Sequence, residues 1–130
     1  MKKLKMIVLM VLLSGMSLTS SLYAATSTTT PSNPAAPTTC ITYPDQMYVG
    51  DTVTVTDCST SPDGVITKMY LGIWMNGSLV RWGGGNPNIT TLSFTITTPG
   101  TYNFTNLVTN ASTPNPATDG TFVSSPYTFV

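Results

Sequence analysis

From Cys40 to Val130 the chain is written in short runs of alternating apolar and polar residues, interrupted by turn residues. No stretch keeps the 3.6-residue apolar spacing of an amphipathic helix, so the period predicts strands throughout. Ile41–Tyr43 opens a first strand, stopped by Pro44-Asp45. Val49-Gly50-Asp51 then turns the chain into Thr52–Cys58, a Thr/Val alternation. Ser61-Pro62-Asp63-Gly64 is a strong turn signal, and Val65–Met75 reads as a long strand with both faces partly covered. Asn76-Gly77 is the best two-residue hairpin signal in the chain, returning it as Ser78–Trp82. After the loop 83–88, Leu92–Ile96 alternates, Pro99-Gly100 leads into Thr101–Thr109, and Thr121–Val130 supplies the last strand. Pro126 in that strand implies an edge position or a bulge. These elements predict an all-β, antiparallel two-sheet sandwich of about seven strands, because two sheets bury each other's alternate residues where one open sheet of this size cannot.

The first 24 residues break this pattern. Lys2, Lys3 and Lys5 precede an unbroken apolar run, Met6–Leu13, followed by a polar stretch and the small-residue exit Tyr23-Ala24-Ala25. That order reads as a cleaved signal peptide over residues 1–24, with an apolar core too short to span a bilayer. Leu13-Ser14-Gly15 begins like a lipobox, but Met16 stands where the lipidated Cys belongs. The expected location is therefore secreted or periplasmic, without a lipid anchor or membrane insertion. Residues 25–39 (ATSTTTPSNPAAPTT) hold no aliphatic side chain larger than Ala and are expected to form a flexible tether ahead of a domain spanning 40–130.

Composition narrows the function classes. Beyond the signal, the chain keeps only Lys68 and Arg81 against Asp45, Asp51, Asp57, Asp63 and Asp119, a net charge of −3. There is no His and no Glu. Such a surface lacks the basic footprint that nucleic acid or anionic lipid requires. Cys40 and Cys58 are an even pair in an exported chain, for which a disulfide is the default reading. Closing that loop stabilises by about 3 kcal/mol on the chain-entropy account. Metal binding would need the further Cys or His that the sequence does not have.

The segments Val49-Gly50-Asp51-Thr52-Val53-Thr54-Val55, Ser61-Pro62-Asp63-Gly64-Val65-Ile66-Thr67, Thr98-Pro99-Gly100-Thr101-Tyr102 and Val108-Thr109-Asn110 follow one another in an order that resembles a PKD-type immunoglobulin-like domain. The resemblance covers about residues 41–130. It departs from the family at Gly72–Gly77, which replaces a Trp-Asp-Phe-Gly-Asp-Gly segment, and at Asn106, which stands where an inward apolar residue is expected. It implies a non-catalytic extracellular module used for binding, spacing or display.

The candidate chemistry agrees with that implication. General acid–base catalysis would rest on Asp or Tyr alone, and the Ser and Thr residues have no neighbouring base to activate them. Asp57 and Asp63 flank a turn and could share a weak calcium site, but no loop sets three carboxylates at alternating positions, and turn residues are a sufficient reason for each Asp. No metal and no cofactor are expected. Four Asn-x-Ser/Thr triplets begin at Asn76, Asn88, Asn103 and Asn110, a number that chance supplies in so Thr-, Ser- and Asn-rich a chain.

The Asn76-Gly77 hairpin is the most informative candidate. A regular ladder pairs Trp74 with Leu79, Ile73 with Val80, Gly72 with Arg81 and Leu71 with Trp82. Alternation then groups Leu71, Ile73, Val80 and Trp82 on one face and Tyr70, Trp74, Leu79 and Arg81 on the other. If the aliphatic face is the core, the second set is an exposed aromatic patch edged by a cation, of the composition that dominates binding hot spots and that stacks on sugar rings. The opposite register would make Trp74 the core tryptophan. The function expected is an exported non-catalytic module that binds an unidentified protein or carbohydrate. It should be monomeric unless it forms a fibre. The alternatives are a pilin-like structural subunit of such a fibre and, last, a small secreted enzyme.

Overall fold

The computed structural model of the chain describes residues 24–130, so the expected signal peptide lies, apart from Ala24, outside the described residues. Nine strands follow in order: β1 (Ala24–Thr29), β2 (Thr39–Pro44), β3 (Thr52–Asp57), β4 (Lys68–Met75), β5 (Ser78–Gly84), β6 (Thr91–Thr95), β7 (Thr101–Thr109), β8 (Thr121–Ser124) and β9 (Thr128–Phe129). All pairings are antiparallel. One sheet has the order β1-β2-β3-β6 and the other β5-β4-β7-β8, with β9 also on β7. This all-β sandwich of two antiparallel sheets is compatible with an immunoglobulin-like fold.

The core follows the alternation read from the sequence. Ile41, Val53, Val55 and Leu92 point inward from the first sheet, and Leu71, Ile73, Tyr102, Phe104 and Val123 from the second, all buried. Tyr43 and Phe104 meet across the gap with ring centroids 5.6 Å apart. At the start of β7, the Tyr102 hydroxyl donates to the carbonyl of Thr98 at 2.7 Å, fixing the corner between β6 and β7. Cys40 and Cys58 are bonded, tying β2 to the residue that follows β3, with Cα atoms 4.8 Å apart. Beside this bond sits Asn106, fully buried and inward between Leu71 and Val123. Its Nδ2 lies 2.7 Å from Asp57 Oδ1 and 3.2 Å from both the Cys40 carbonyl and Ser59 Oγ. The side chain that departs from the family pattern is thus a polar strut between the sheets.

Residues 25–39 are a correction to the expected tether. Residues 24–29 pair with β2 along their whole length, from Ala24 opposite Pro44 to Thr29 opposite Thr39. Ser27 Oγ lies 2.7 Å from the Tyr43 hydroxyl. Ala36 is buried, and Asn110 Nδ2 donates to the Ala35 carbonyl at 2.7 Å. Its composition does keep β1 out of the core, to which it offers little more than Ala25. Thr-rich chain is instead ordered by a strand edge, where ladder bonds offset backbone entropy without apolar burial. The last expected strand is divided at Ser125-Pro126: Pro126 has no N–H to give, and the Ser125 hydroxyl accepts from the Phe104 N–H at 2.8 Å.

Candidate functional site

Asn76 and Gly77 have φ of 50° and 79°, the two positive values that a twist-matched two-residue turn requires. Next to the turn Met75 faces Ser78, and the pair of Trp74 with Leu79 is as read from the sequence. The ladder then shifts by one residue, and Ile73 faces Arg81, Gly72 faces Trp82, Leu71 faces Gly83 and Tyr70 faces Gly84. Val80 is the extra residue of this bulge and packs against the core.

Packing explains the shift. In a regular ladder Trp82 would stand opposite Leu71, inside the sandwich. The residue actually there is Gly83, and even a methyl group on it would lie 3.3 Å from Leu92 Cδ1. An indole has no room. The bulge turns Trp82 to the outside, where Gly72 leaves space beside it. The expected inward Trp82 is therefore corrected, and so is the expected place of Arg81: it is exposed opposite the inward Ile73, away from the aromatic patch.

The outer face of the five-stranded sheet is consequently built in cross-strand rows. One row runs Gly84, Tyr70, Leu107, Phe122, and the next Trp82, Gly72, Thr105, Ser124. A third places Leu79, Trp74 and Asn103 side by side. Tyr70, Trp74, Leu79, Trp82, Leu107 and Phe122 line a shallow groove of about 240 Å³ whose floor includes Gly72. A Cβ on Gly72 would meet Thr105 Oγ1 at 2.7 Å and Trp74 Nε1 at 3.0 Å, so the glycine is what lets the Trp74 indole lie down over the sheet. Trp74 is half-buried there and donates its N–H to Thr105 Oγ1 at 2.9 Å. Tyr70 lies likewise against Gly84, whose Cβ would come within 2.8 Å of the Tyr70 ring. Trp82 is 62% exposed and Phe122 50%. No Asp, Lys or Arg lines the groove.

Three of the four residues read from the sequence, Tyr70, Trp74 and Leu79, thus share one groove, and Arg81 does not join them. Leu71 and Ile73 point inward, which decides the open question of register: Trp74 is not the core tryptophan. Trp82, Leu107 and Phe122 were missed. The run Trp82-Gly83-Gly84-Gly85 was the available signal for Trp82, since consecutive glycines in a strand mark bulges and close approaches.

The other outer face is different. Thr52, Thr54, Thr56, Thr91, Ser93 and Thr95 cover β3 and β6, with hydroxyl pairs Thr52–Thr95 at 3.1 Å and Thr54–Ser93 at 2.9 Å. A hollow of about 420 Å³ opens on this side near Thr42, Pro44, Gln46 and Tyr48. It arises because β2 and β3 share only two paired positions, Ile41–Asp57 and Thr42–Thr56, and then part. Its lining mixes the hydroxyls of Thr42, Thr52, Thr54 and Thr56 with the apolar surface of Pro44 and Tyr48.

Three of the carboxylates accept hydrogen bonds from neighbouring groups. Asp57 Oδ1 accepts from Ser59 N and Asn106 Nδ2, Asp51 Oδ2 from Tyr48 N, and Asp63 from the Ser61 hydroxyl and Val65 N. The Ser61 bond first, and the Val65 N–H second, hold the Asp63 carboxyl below the usual range. Among the described residues no three acidic or Cys side chains gather as a metal would need, and no helix is long and apolar enough to cross a membrane. No protein-family model, curated protein or solved structure matches the chain.

Proposed function

We propose that this chain is an exported, non-catalytic immunoglobulin-like module that binds a partner through the outer face of its five-stranded sheet. The observation that carries the reading is the contrast between the two outer faces. Both belong to antiparallel sheets of one small domain. One is Thr and Ser, as water demands, and the other carries Trp74, Leu79, Trp82, Leu107 and Phe122. A contiguous apolar face of this kind, opposite one of hydroxyls, marks a surface that is covered in use.

Export rests on the signal-like residues 1–24 and agrees with the Cys40–Cys58 disulfide, which an oxidising compartment maintains. The resemblance to PKD-type domains supports the same non-catalytic role, as does a chain without His or Glu whose carboxylates serve turns. Between protein and carbohydrate, the lining favours protein. Its exposed surface is almost wholly apolar, and the hydroxyl of Thr105 already accepts from Trp74. A sugar would leave most of its hydroxyls without partners. The pilin-like alternative has less support, because its N-terminal strand would be donated to a neighbour, whereas β1 is held in its own sheet.

A photo-reactive amino acid placed at position 82 or 54 in exporting cells tests the proposal. An adduct from position 82 with none from 54 is the expected result. Silence at 82, or equal adducts at both, would overturn it.

A further inference from the structure

The apolar face has a size, shape and charge that identify its occupant. Resting on the reading that this face is the binding surface, we propose that a second copy of the chain covers it, the two five-stranded sheets packing face to face about a two-fold axis. Strands of seven, eight, nine and four residues side by side (β5, β4, β7 and β8) give a face of roughly 450 Å² in projection. Side-chain relief raises the accessible area above that, toward the roughly 800 Å² per partner of a stable interface. The face is broad and its groove shallow, which suits another sheet face at about 10 Å better than a small ligand in a pocket.

Charge points the same way. The mature chain carries five Asp, and every copy repels every other at long range, yet none of the five lines the groove. The one ionised residue on this face by strand alternation is Lys68, at the first position of β4. A two-fold axis running across the strands sends the two Lys68 side chains to opposite ends of the contact, so no like charges meet. A heterologous partner is usually selected by complementary polar or charged groups around the apolar centre. Here the polar groups on the face already bond within it, Asn103 Nδ2 to Ser124 Oγ and Trp74 Nε1 to Thr105 Oγ1, and a face without unmet directional demands is complementary to itself. Trp82, the most exposed of the groove residues at 62%, stands at its centre row beside Gly72 and takes the role of anchor.

Sedimentation velocity of the full mature chain across the micromolar range tests the inference. The expected result is a reversible dimer, with Trp82→Asp and, on a different strand, Phe122→Asp each raising the dissociation constant about 30-fold or more. Thr54→Asp, on the hydroxyl-covered outer face, should leave it unchanged. Both groove variants should keep the wild-type circular dichroism, since each removes a side chain at least half exposed. A monomer at every concentration would overturn the inference, as would a dimer equally sensitive to Thr54→Asp. The binding-surface reading is judged separately: a position-82 adduct of a different mass in cells, with a monomer in the centrifuge, sinks the self-association and keeps the surface.

Discussion

Replacing the two tryptophans one at a time separates the two roles assigned to them. A free tryptophan side chain offers up to about 250 Å², and the half-buried Trp74 covers on the order of 160 Å² of it. At about 25 cal/mol/Å² that burial is worth roughly 4 kcal/mol, and allowing for a compact unfolded chain brings it to about 2.5 kcal/mol. The N–H bond to Thr105 adds about 1 kcal/mol. Trp74→Ala should therefore cost about 3.5 kcal/mol. Trp82 is 62% exposed, and the same reckoning leaves about 1.5 kcal/mol for Trp82→Ala. Equilibrium urea unfolding, followed by far-UV circular dichroism at a concentration where the chain is monomeric, reads both. With a slope of about 1–1.5 kcal/mol/M, the midpoint should fall by about 2–3.5 M for Trp74→Ala and by about 1–1.5 M for Trp82→Ala. Equal losses would mean that Trp82 lies inside and that the bulge at Val80 is wrong. A negligible loss for Trp74→Ala would mean that its seat over Gly72 does not exist. Gly72→Ala is the companion test: its methyl would come 2.7 Å from Thr105 Oγ1, and a cost of about 1–3 kcal/mol is expected.

Other expectations follow from the same contacts. Deleting residues through Thr29 should change stability by no more than about 1–2 kcal/mol, because six ladder residues gain in hydrogen bonds about what they lose in backbone entropy. Extending the deletion through Thr39 should cost clearly more, since Ala36 and Thr39 are buried and Thr39 Oγ1 donates to Thr121 Oγ1 at 2.6 Å; equal thermal midpoints for the two truncations would contradict this. Asn106→Asp should be less stable than Asn106→Leu by about 2 kcal/mol or more at pH 7, because it sets a second carboxylate where Nδ2 now lies 2.7 Å from Asp57 Oδ1. That gap should narrow toward pH 4 as the new carboxyl takes up a proton, and a pH-independent gap in urea midpoints would refute the account. Asp63 is stabilised in its charged form by folding, so its contribution is full above the ordinary carboxylate pKa and is lost as pH falls through its lowered folded value. Asp63→Asn should accordingly flatten the acid limb of a thermal-melt pH series without altering it between pH 6 and 8, where the chain has no His to titrate.

Most strands were legible because period-2 alternation is a local signal, and so were the Asn76-Gly77 turn and the disulfide. What escaped the sequence is non-local. Nothing in ATSTT announces a strand; β1 exists because β2 presents an open edge to it, a property of the folded sheet. Asn106 reads as a misfit in an apolar column until Cys40, Asp57 and Ser59, distant in sequence, bring acceptors to its amide. The hairpin shows the limit most clearly. Its turn, its first two pairs and the outward placing of Tyr70, Trp74 and Leu79 follow from local chemistry alone. The register beyond Trp74 depends on whether an indole fits beside Leu92, a strand from the opposite sheet. A one-residue slip exchanges faces in any strand. Here it moves a tryptophan from the core to the surface and an arginine away from the patch, so the bulge at Val80 determines what this face can bind: an aromatic surface edged by a cation has become one without charge at its centre.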